Sequence, residues 1–166
     1  GVELFEKTLG IIGLGRIGSI VAERARAFHM KIVVFDPYIS EERAEKLGAE
    51  LVELKDLLER SDFLTLHTPG LAGKSLLGKE EFKQMKPGIR IVNCARGSLI
   101  DDTALIEAIQ SKKVARAALD VYHKEPLDLD SPLLQVDEII CTPHLGASTG
   151  EAQEKVAIAI CDQIID

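Results

Sequence analysis

The segment Leu9–Gly18 reads Leu-Gly-Ile-Ile-Gly-Leu-Gly-Arg-Ile-Gly and carries the strongest structural signal in the chain. Its first part, Leu9–Leu14, is a compact apolar run that predicts a buried strand. Beyond it, apolar residues from Ile17 to Phe28 recur at helical spacing, which predicts an amphipathic helix. A buried strand is therefore expected to pass through a glycine-rich turn directly into a helix.

The turn has the spacing G-x-G-x-x-G, with Gly13, Gly15 and Gly18 at the three glycine positions. In such a unit the first glycine permits the tight turn and the second admits a pyrophosphate close to the backbone. The third lets the helix pack closely on the strand. Free N–H groups at the helix N-terminus attract phosphate, and Arg16 can add a cationic contact. The alternative interpretation is that the glycines only form a tight turn.

A second apolar run, Lys31–Phe35, predicts the next strand, and Asp36 follows it. A carboxylate at this place, about 20 residues beyond the glycine loop, accepts hydrogen bonds from a ribose 2′-OH. It repels a 2′-phosphate, and the next residues, Pro37 and Tyr38, offer no arginine to receive one. We therefore expect NAD rather than NADP as the cofactor, with Asp36 as a simple turn residue in the alternative interpretation.

The rest of the chain alternates short apolar runs with amphipathic helices. Further strands are predicted at Phe63–Leu66, Ile89–Val92, Val114–Leu119 and Ile139–Cys141. Helices are predicted at Glu41–Leu47, Leu54–Leu58, Lys79–Met85, Asp102–Ser111 with Asp101 as cap, and from Ser148, with a capping box to Glu151. Strands that are apolar on both faces and alternate with helices indicate an α/β fold. We expect a doubly wound parallel sheet, that is, a Rossmann-type dinucleotide-binding domain.

The composition argues against several classes of partner. The formal net charge is -7, whereas nucleic acid and anionic membrane surfaces both require a basic face. No apolar run approaches the ~18 residues that suggest a membrane-spanning helix. The cysteines, Cys94, Cys141 and Cys161, have the spacing of neither a disulfide framework nor a metal site. We expect buried, reduced thiols in a cytoplasmic protein.

The ends of the chain suggest a larger protein. Residue 1 is glycine rather than methionine, and Ile164–Asp166 ends inside an apolar helical pattern without a glycine cap. We expect residues 1–166 to be one domain of a longer chain.

Polar residues follow the predicted strands at the point where each one ends. They are Asp36, His67-Thr68-Pro69, Asn93-Cys94-Ala95-Arg96-Gly97, Asp120 and Thr142-Pro143-His144. Because the carboxyl ends of parallel strands share one edge of a sheet, we expect these residues to border one ligand crevice. This convergence argues against a plain structural α/β module.

Three of the residues in this region have the chemistry of a hydride-transfer site. A histidine such as His144 can give or take the proton of a substrate oxygen near neutral pH. A carboxylate such as Glu125 can orient that histidine and stabilise its charged form. The planar fork of Arg96 suits a carboxylate or a polarised carbonyl. Each has an ordinary alternative as an exposed or ion-paired residue, and His67 is either a cofactor-pocket residue or a structural histidine.

The segments Gly13–Gly18, His67–Pro69, Asn93–Gly97, Ala118–Pro126 and Thr142–Thr149 occur in this order. The set resembles the nucleotide-binding domain of the D-isomer-specific 2-hydroxyacid dehydrogenases, and the resemblance covers nearly the whole chain. It implies that Arg96 binds the substrate carboxylate and carbonyl, that Glu125 pairs with the histidine, and that His144 exchanges the proton. With the glycine loop and the strand ends, the expected cofactor-binding residues are Gly13, Gly15, Arg16, Ile17, Gly18, Asp36, His67, Thr68, Pro69, Cys94, Ala95, Arg96, Asp120, His144, Gly146 and Ala147.

The resemblance also implies an oxidoreductase that acts on a small 2-hydroxy or 2-keto acid, with a separate substrate-binding domain outside this chain. It implies a homodimer formed through this domain, and little turnover by the domain alone. Within the resemblance, the run from His144 to Gln153 favours 3-phosphoglycerate as the substrate, with lactate, glycerate, and glyoxylate or hydroxypyruvate as the alternatives. A non-catalytic protein that senses the dinucleotide is the alternative, because a corepressor on the same scaffold keeps the three polar residues. Ser98 stands where many members have a second glycine, and the loop Gly70–Lys74 lacks a threonine that many members have.

Overall fold

The computed structural model describes residues 1–70 and 73–165, the last four of these by backbone alone. The strands are β1 (Thr8–Ile12), β2 (Lys31–Phe35), β3 (Glu50–Leu51), β4 (Phe63–Leu66), β5 (Ile89–Asn93), β6 (Val114–Leu119) and β7 (Ile139–Cys141). Within the described ranges these seven strands form one parallel sheet in the order β3-β2-β1-β4-β5-β6-β7. The predicted doubly wound parallel sheet is therefore confirmed.

Helices connect the strands. They are α1 (Arg16–Ala27), α2 (Glu41–Lys46), α3 (Leu54–Arg60), α4 (Lys79–Gln84), α5 (Asp102–Gln110) and α6 (Gly150–Ile165), with short 3₁₀ helices at Gly97–Leu99 and Pro132–Gln135. The chain runs outward from β1 to β3 and then returns to place β4 on the other side of β1. At such a reversal the connections leave in opposite directions and open a crevice at the carboxyl ends of the strands.

Two apolar clusters cover the two faces of the sheet. Successive residues of a strand point to opposite faces, and Ile11 and Ile12 in β1 belong to different clusters although both are fully buried. Ile11 packs in the cluster that contains Ala22 and Ala25 of α1, and Ile12 in the cluster that contains Leu57 of α3. Because both faces of β1 are buried, its sequence is an unbroken apolar run.

Most predicted elements lie within a residue or two of their observed bounds, and three differences have physical causes. The strand β1 ends at Ile12 rather than Leu14, because Gly13 has a φ of +94°, which is not a strand conformation. The short edge strand β3 has no apolar run and was not predicted. The last helix begins at Gly150 rather than Ser148, since Thr149 Oγ1 accepts the Ala152 N–H at 3.2 Å. Asp101 caps α5 as expected, accepting the Ala104 N–H at 2.9 Å.

The expectation of buried cysteines is wrong. Cys94 and Cys161 are exposed and Cys141 is half-buried, and all three are free thiols. The apolar residues beside Cys161 do not indicate burial, because α6 is largely exposed. Val156, Ile158 and Ile160 in this helix are each about half exposed. The pattern at Ile164–Asp166 and the residues Leu71 and Ala72 lie outside the described side chains. In the part of the chain that the structure describes, no helix is both long and apolar enough to cross a membrane.

Candidate functional site

His144 and Glu125 are paired by a hydrogen bond at the carboxyl edge of the sheet. His144 Nδ1 lies 2.6 Å from Glu125 Oε2, and the backbone N–H of Tyr122 donates to Glu125 Oε1 at 3.0 Å. The hydrogen bond from His144, followed by that from Tyr122, holds the pKa of Glu125 below its ordinary value. The carboxylate therefore stays ionised, and the Nε2 atom of His144 is left for a ligand.

The loop that carries His144 is organised by Asp120. This carboxylate is only 6% exposed and accepts the backbone N–H groups of Leu145 at 2.8 Å and Gly146 at 2.9 Å. The hydroxyl of Thr142 donates to it as well. Burial works to raise the pKa of Asp120, but these hydrogen bonds outweigh it and hold the pKa below its ordinary value. Asp120 is therefore ionised and holds the loop of His144 in place through these hydrogen bonds.

Arg96 lines the same cleft as the Glu125–His144 pair. The cleft has a volume of about 370 Å³. Its lining residues are Arg96, Gly97, Ser98, Val121, Tyr122, His123, Glu125 and His144. Arg96 is exposed, and its Nη1 donates to the Ala95 carbonyl at 2.6 Å. The structure thus brings the three residues proposed for catalysis to the wall of one cleft.

The turn before Arg96 is built on a buried amide. Asn93 is 1% exposed, its Nδ2 donates to the Arg96 carbonyl at 2.9 Å, and its Oδ1 accepts the Ala95 N–H at 3.1 Å. Cys94, next in the chain, carries an exposed free thiol. The sequence places Asn93 only at the end of a strand, and its pattern does not indicate that the side chain shapes this turn.

The glycine loop lies against the end of β4. The Gly13 N–H donates to the Phe35 carbonyl at 2.9 Å, and the His67 N–H donates to the Ile12 carbonyl at 2.7 Å. The ring of His67 points back to Thr65, with Nε2 3.0 Å from Oγ1, and burial lowers its pKa. A neutral ring on a threonine hydroxyl agrees with the structural alternative for His67. Thr68 is half-buried and Pro69 exposed at the rim.

Comparison with known proteins identifies the family. The family model described as "D-isomer specific 2-hydroxyacid dehydrogenase, NAD binding domain" matches residues 1–146. The chain belongs to the D-isomer specific 2-hydroxyacid dehydrogenases. It is 48% identical over 167 residues to a D-3-phosphoglycerate dehydrogenase of Archaeoglobus fulgidus, covering 100% of this chain and 32% of the relative. It is 52% identical over 167 residues to that of Methanocaldococcus jannaschii, covering 99% and 32%.

Solved structures agree with this assignment. A glyoxylate reductase from Paecilomyes thermophila superposes with a TM-score of 0.88 at 40% identity, covering 95% of this chain and 48% of that one. This dehydrogenase-family chain spans about a third of the length of the curated relatives named above. The matched part is the domain that binds NAD in the family.

The three motif glycines are required for different reasons. A Cβ on Gly13 would lie 2.6 Å from the His67 carbonyl oxygen, and one on Gly18 would lie 2.1 Å from the Gly13 carbonyl oxygen. A Cβ on Gly15 would meet no protein atom within 4 Å. Packing therefore requires the first and third glycines, whereas the second faces open space, where a pyrophosphate would approach the N-terminus of α1. The exposed Arg16 and Ile17 border that space.

Asp36 holds the glycine loop and the turn after β2 through both of its carboxylate oxygens. Its Oδ2 accepts the Leu14 N–H at 2.8 Å and its Oδ1 accepts the Tyr38 N–H at 2.9 Å. Each carboxylate oxygen keeps a further lone pair for a ribose hydroxyl. The turn interpretation and the cofactor interpretation of Asp36 are therefore compatible.

Other expected cofactor residues have different surroundings. The Asp120 carboxylate is turned into the loop rather than toward the crevice, while Gly146 and Ala147 are exposed beside it. Two residues to which the sequence analysis assigns no role also line the cleft: Tyr122, and His123, whose Nε2 lies 2.8 Å from the Ile100 carbonyl oxygen. Nothing in the local pattern distinguished His123 from an exposed loop histidine.

Proposed function

We propose that this domain binds NAD at the carboxyl edge of the sheet and that Arg96, Glu125 and His144 serve hydride transfer between nicotinamide and a D-2-hydroxy acid. The observation that carries the proposal is the 2.6 Å contact between His144 Nδ1 and Glu125 Oε2, in a cleft also lined by Arg96. A histidine oriented by a carboxylate can take the hydroxyl proton of a 2-hydroxy acid, and an arginine beside it can hold the acid's carboxylate.

The roles follow from the free atoms. His144 Nε2 is the ring nitrogen left to take the hydroxyl proton, because Nδ1 is held by Glu125. The guanidinium of Arg96 has donors beyond the one given to Ala95, and these can hold the substrate carboxylate and polarise the carbonyl oxygen. NAD, when bound, supplies the acceptor for the hydride. The ionised Glu125 stabilises the imidazolium that forms when His144 takes the proton.

The leading substrate is D-3-phosphoglycerate, which would place the protein in L-serine synthesis. Support comes from the identity to relatives named as D-3-phosphoglycerate dehydrogenases, which extends over the whole chain. The alternatives are another enzyme of the family, such as a lactate or glycerate dehydrogenase or a glyoxylate/hydroxypyruvate reductase, or a protein that senses NADH without turnover. We also propose a cytoplasmic homodimer formed through this domain.

The test uses the full-length protein that carries this chain. NADH oxidation is followed with 3-phosphohydroxypyruvate, pyruvate, glyoxylate and hydroxypyruvate as competing substrates. A preference in kcat/KM of about 100-fold for the phosphorylated acid, or about 2.7 kcal/mol in the transition state, is expected. Preference for an unphosphorylated acid keeps the mechanism but refutes the serine assignment. NADH binding without turnover of any acid favours the sensor.

A pair of arginine variants provides the matched control. Arg96→Lys retains the charge but loses the planar fork, so we expect a large rise in KM for the keto acid and a fall in kcat. Arg116→Lys changes an exposed residue of β6 and should leave both constants unchanged.

A further inference from the structure

Tyr122 lies beneath the cleft and contacts the segments that carry the reacting groups. It is 7% exposed. Its backbone N–H donates to Glu125 Oε1 at 3.0 Å, and its phenol oxygen lies 2.7 Å from the Thr142 carbonyl oxygen and 3.0 Å from the Leu119 carbonyl oxygen. The hydroxyl is thus a donor shared between the ends of β6 and β7.

These hydrogen bonds connect Tyr122 to both the backbone and the ring of His144. The His144 N–H donates, at 3.0 Å, to the same Thr142 carbonyl that accepts from the Tyr122 hydroxyl. The ring of His144 is held through Glu125, whose other oxygen accepts from the Tyr122 backbone. Tyr122 therefore reaches His144 by two routes, one to its backbone and one to its ring.

His144 needs such support. Its φ of +53° lies in the left-handed region, which is unfavourable for a residue with a Cβ and persists only when the surroundings impose it. The residues of its loop from Pro143 to Ala147 are exposed and supply little packing. Burial, followed by the neighbouring Cys141, raises the pKa of Tyr122, so that its hydroxyl remains a donor at every working pH.

The same residue adjoins the turn of Arg96. A Cβ on Gly97 would fall 2.0 Å from the Tyr122 carbonyl carbon, so glycine at this position allows the two backbones to touch. Tyr122 is therefore in contact with the segments of Arg96, Glu125 and His144 together.

We propose that Tyr122 is a positioning residue whose hydroxyl, through the Thr142 carbonyl, sets the place of His144 relative to Glu125 and Arg96. The proposal rests on the proposed function for its kinetic consequence alone. A reacting group displaced by about 1 Å can lose about 100-fold in rate without any loss of substrate binding.

The test removes only the hydroxyl. In the full-length protein, Tyr122→Phe should lower kcat for keto acid reduction by at least about tenfold, while KM and the Kd for NADH stay within about twofold. Tyr38→Phe is the matched control for kcat, because Tyr38 is 94% exposed and loss of its hydroxyl should leave kcat unaltered. An unchanged kcat overturns the proposal. So does a parallel loss of substrate and NADH binding, which would indicate general loosening of the fold.

A second measurement does not depend on activity. Diethyl pyrocarbonate modifies neutral histidine rings, and the His144 side chain is 46% exposed and accessible to it. The modification rate of the His144 peptide, followed by mass spectrometry, should rise several-fold in Tyr122→Phe and stay constant in Tyr38→Phe. An equal rate in the wild type and Tyr122→Phe overturns the positioning role. If the wild type reduces no keto acid, the proposed function fails while this measurement still decides the role of Tyr122.

Discussion

Asp120→Asn is expected to be the most destabilising isosteric change at the site. The carboxylate accepts three donors: the Thr142 hydroxyl and the Leu145 N–H on Oδ1, and the Gly146 N–H on Oδ2. An asparagine that keeps its oxygen toward the first two donors must place its NH₂ group against the third. The part-buried Gly146 N–H is then left facing another donor.

The magnitude follows from those three bonds. Leaving a buried donor unsatisfied costs about 1–3 kcal/mol, and the part-buried Gly146 N–H is expected to cost about 1 kcal/mol. The two bonds that remain lose their charge assistance, which roughly halves the contribution of each. We therefore expect the free energy of unfolding to fall by about 3 kcal/mol. Asp128→Asn is the control, since it removes only the exposed contact with Lys124 and should cost about 0–1 kcal/mol.

Urea unfolding of the chain at pH 7, followed by circular dichroism, measures both variants. The reasoning is refuted if Asp120→Asn and Asp128→Asn differ by less than about 1 kcal/mol, because the three bonds would then contribute no more than a surface pair.

The pH dependence gives an independent check on Asp120. Its pKa is lowered in the folded chain, so its stabilisation is fully present above the ordinary carboxyl pKa of about 3.9. It is lost as the pH falls through the lowered pKa. The difference in stability between the wild type and Asp120→Asn should therefore be constant from about pH 7 to 5 and shrink below about pH 4. A constant difference down to the acid transition would contradict this assignment.

Three further changes separate binding from folding. Gly15→Ala should keep the thermal midpoint of the wild type but lose NADH affinity in a fluorescence titration. Gly18→Ala should lose stability, because its Cβ would meet the Gly13 carbonyl. Equal thermal midpoints for the two variants would contradict the packing argument. Glu125→Gln should lower kcat by at least about 100-fold with NADH affinity retained, and wild-type turnover would exclude Glu125 from the mechanism. Asp36→Ala should reduce the preference for NADH over NADPH, and an unchanged ratio in paired titrations would remove Asp36 from ribose recognition.

The architecture was predictable because its signals are local. The runs that form β2, β4, β6 and β7 have the same bounds in the sequence and in the structure. Burial of both sheet faces requires such runs, and a helix between them requires a polar face, so each element can be recognised by itself. The edge strand β3 has no such local signal, because only Glu50 and Leu51 pair with β2 and Glu50 is charged. Its existence was therefore not predicted.

The site was predictable in its residue types but not in its contacts. Glu125 and His144 lie 19 positions apart, and Asp120 lies 26 positions from Gly146. They meet because β6 and β7 pair with Leu119 opposite Cys141, which places the two following loops side by side. Hydropathy predicts that each strand exists but carries no information on which loop atoms face one another. An aspartate at a strand end was therefore equally consistent with holding a cofactor and with holding a loop, and only the paired strands show that the carboxylate of Asp120 holds the loop of the histidine.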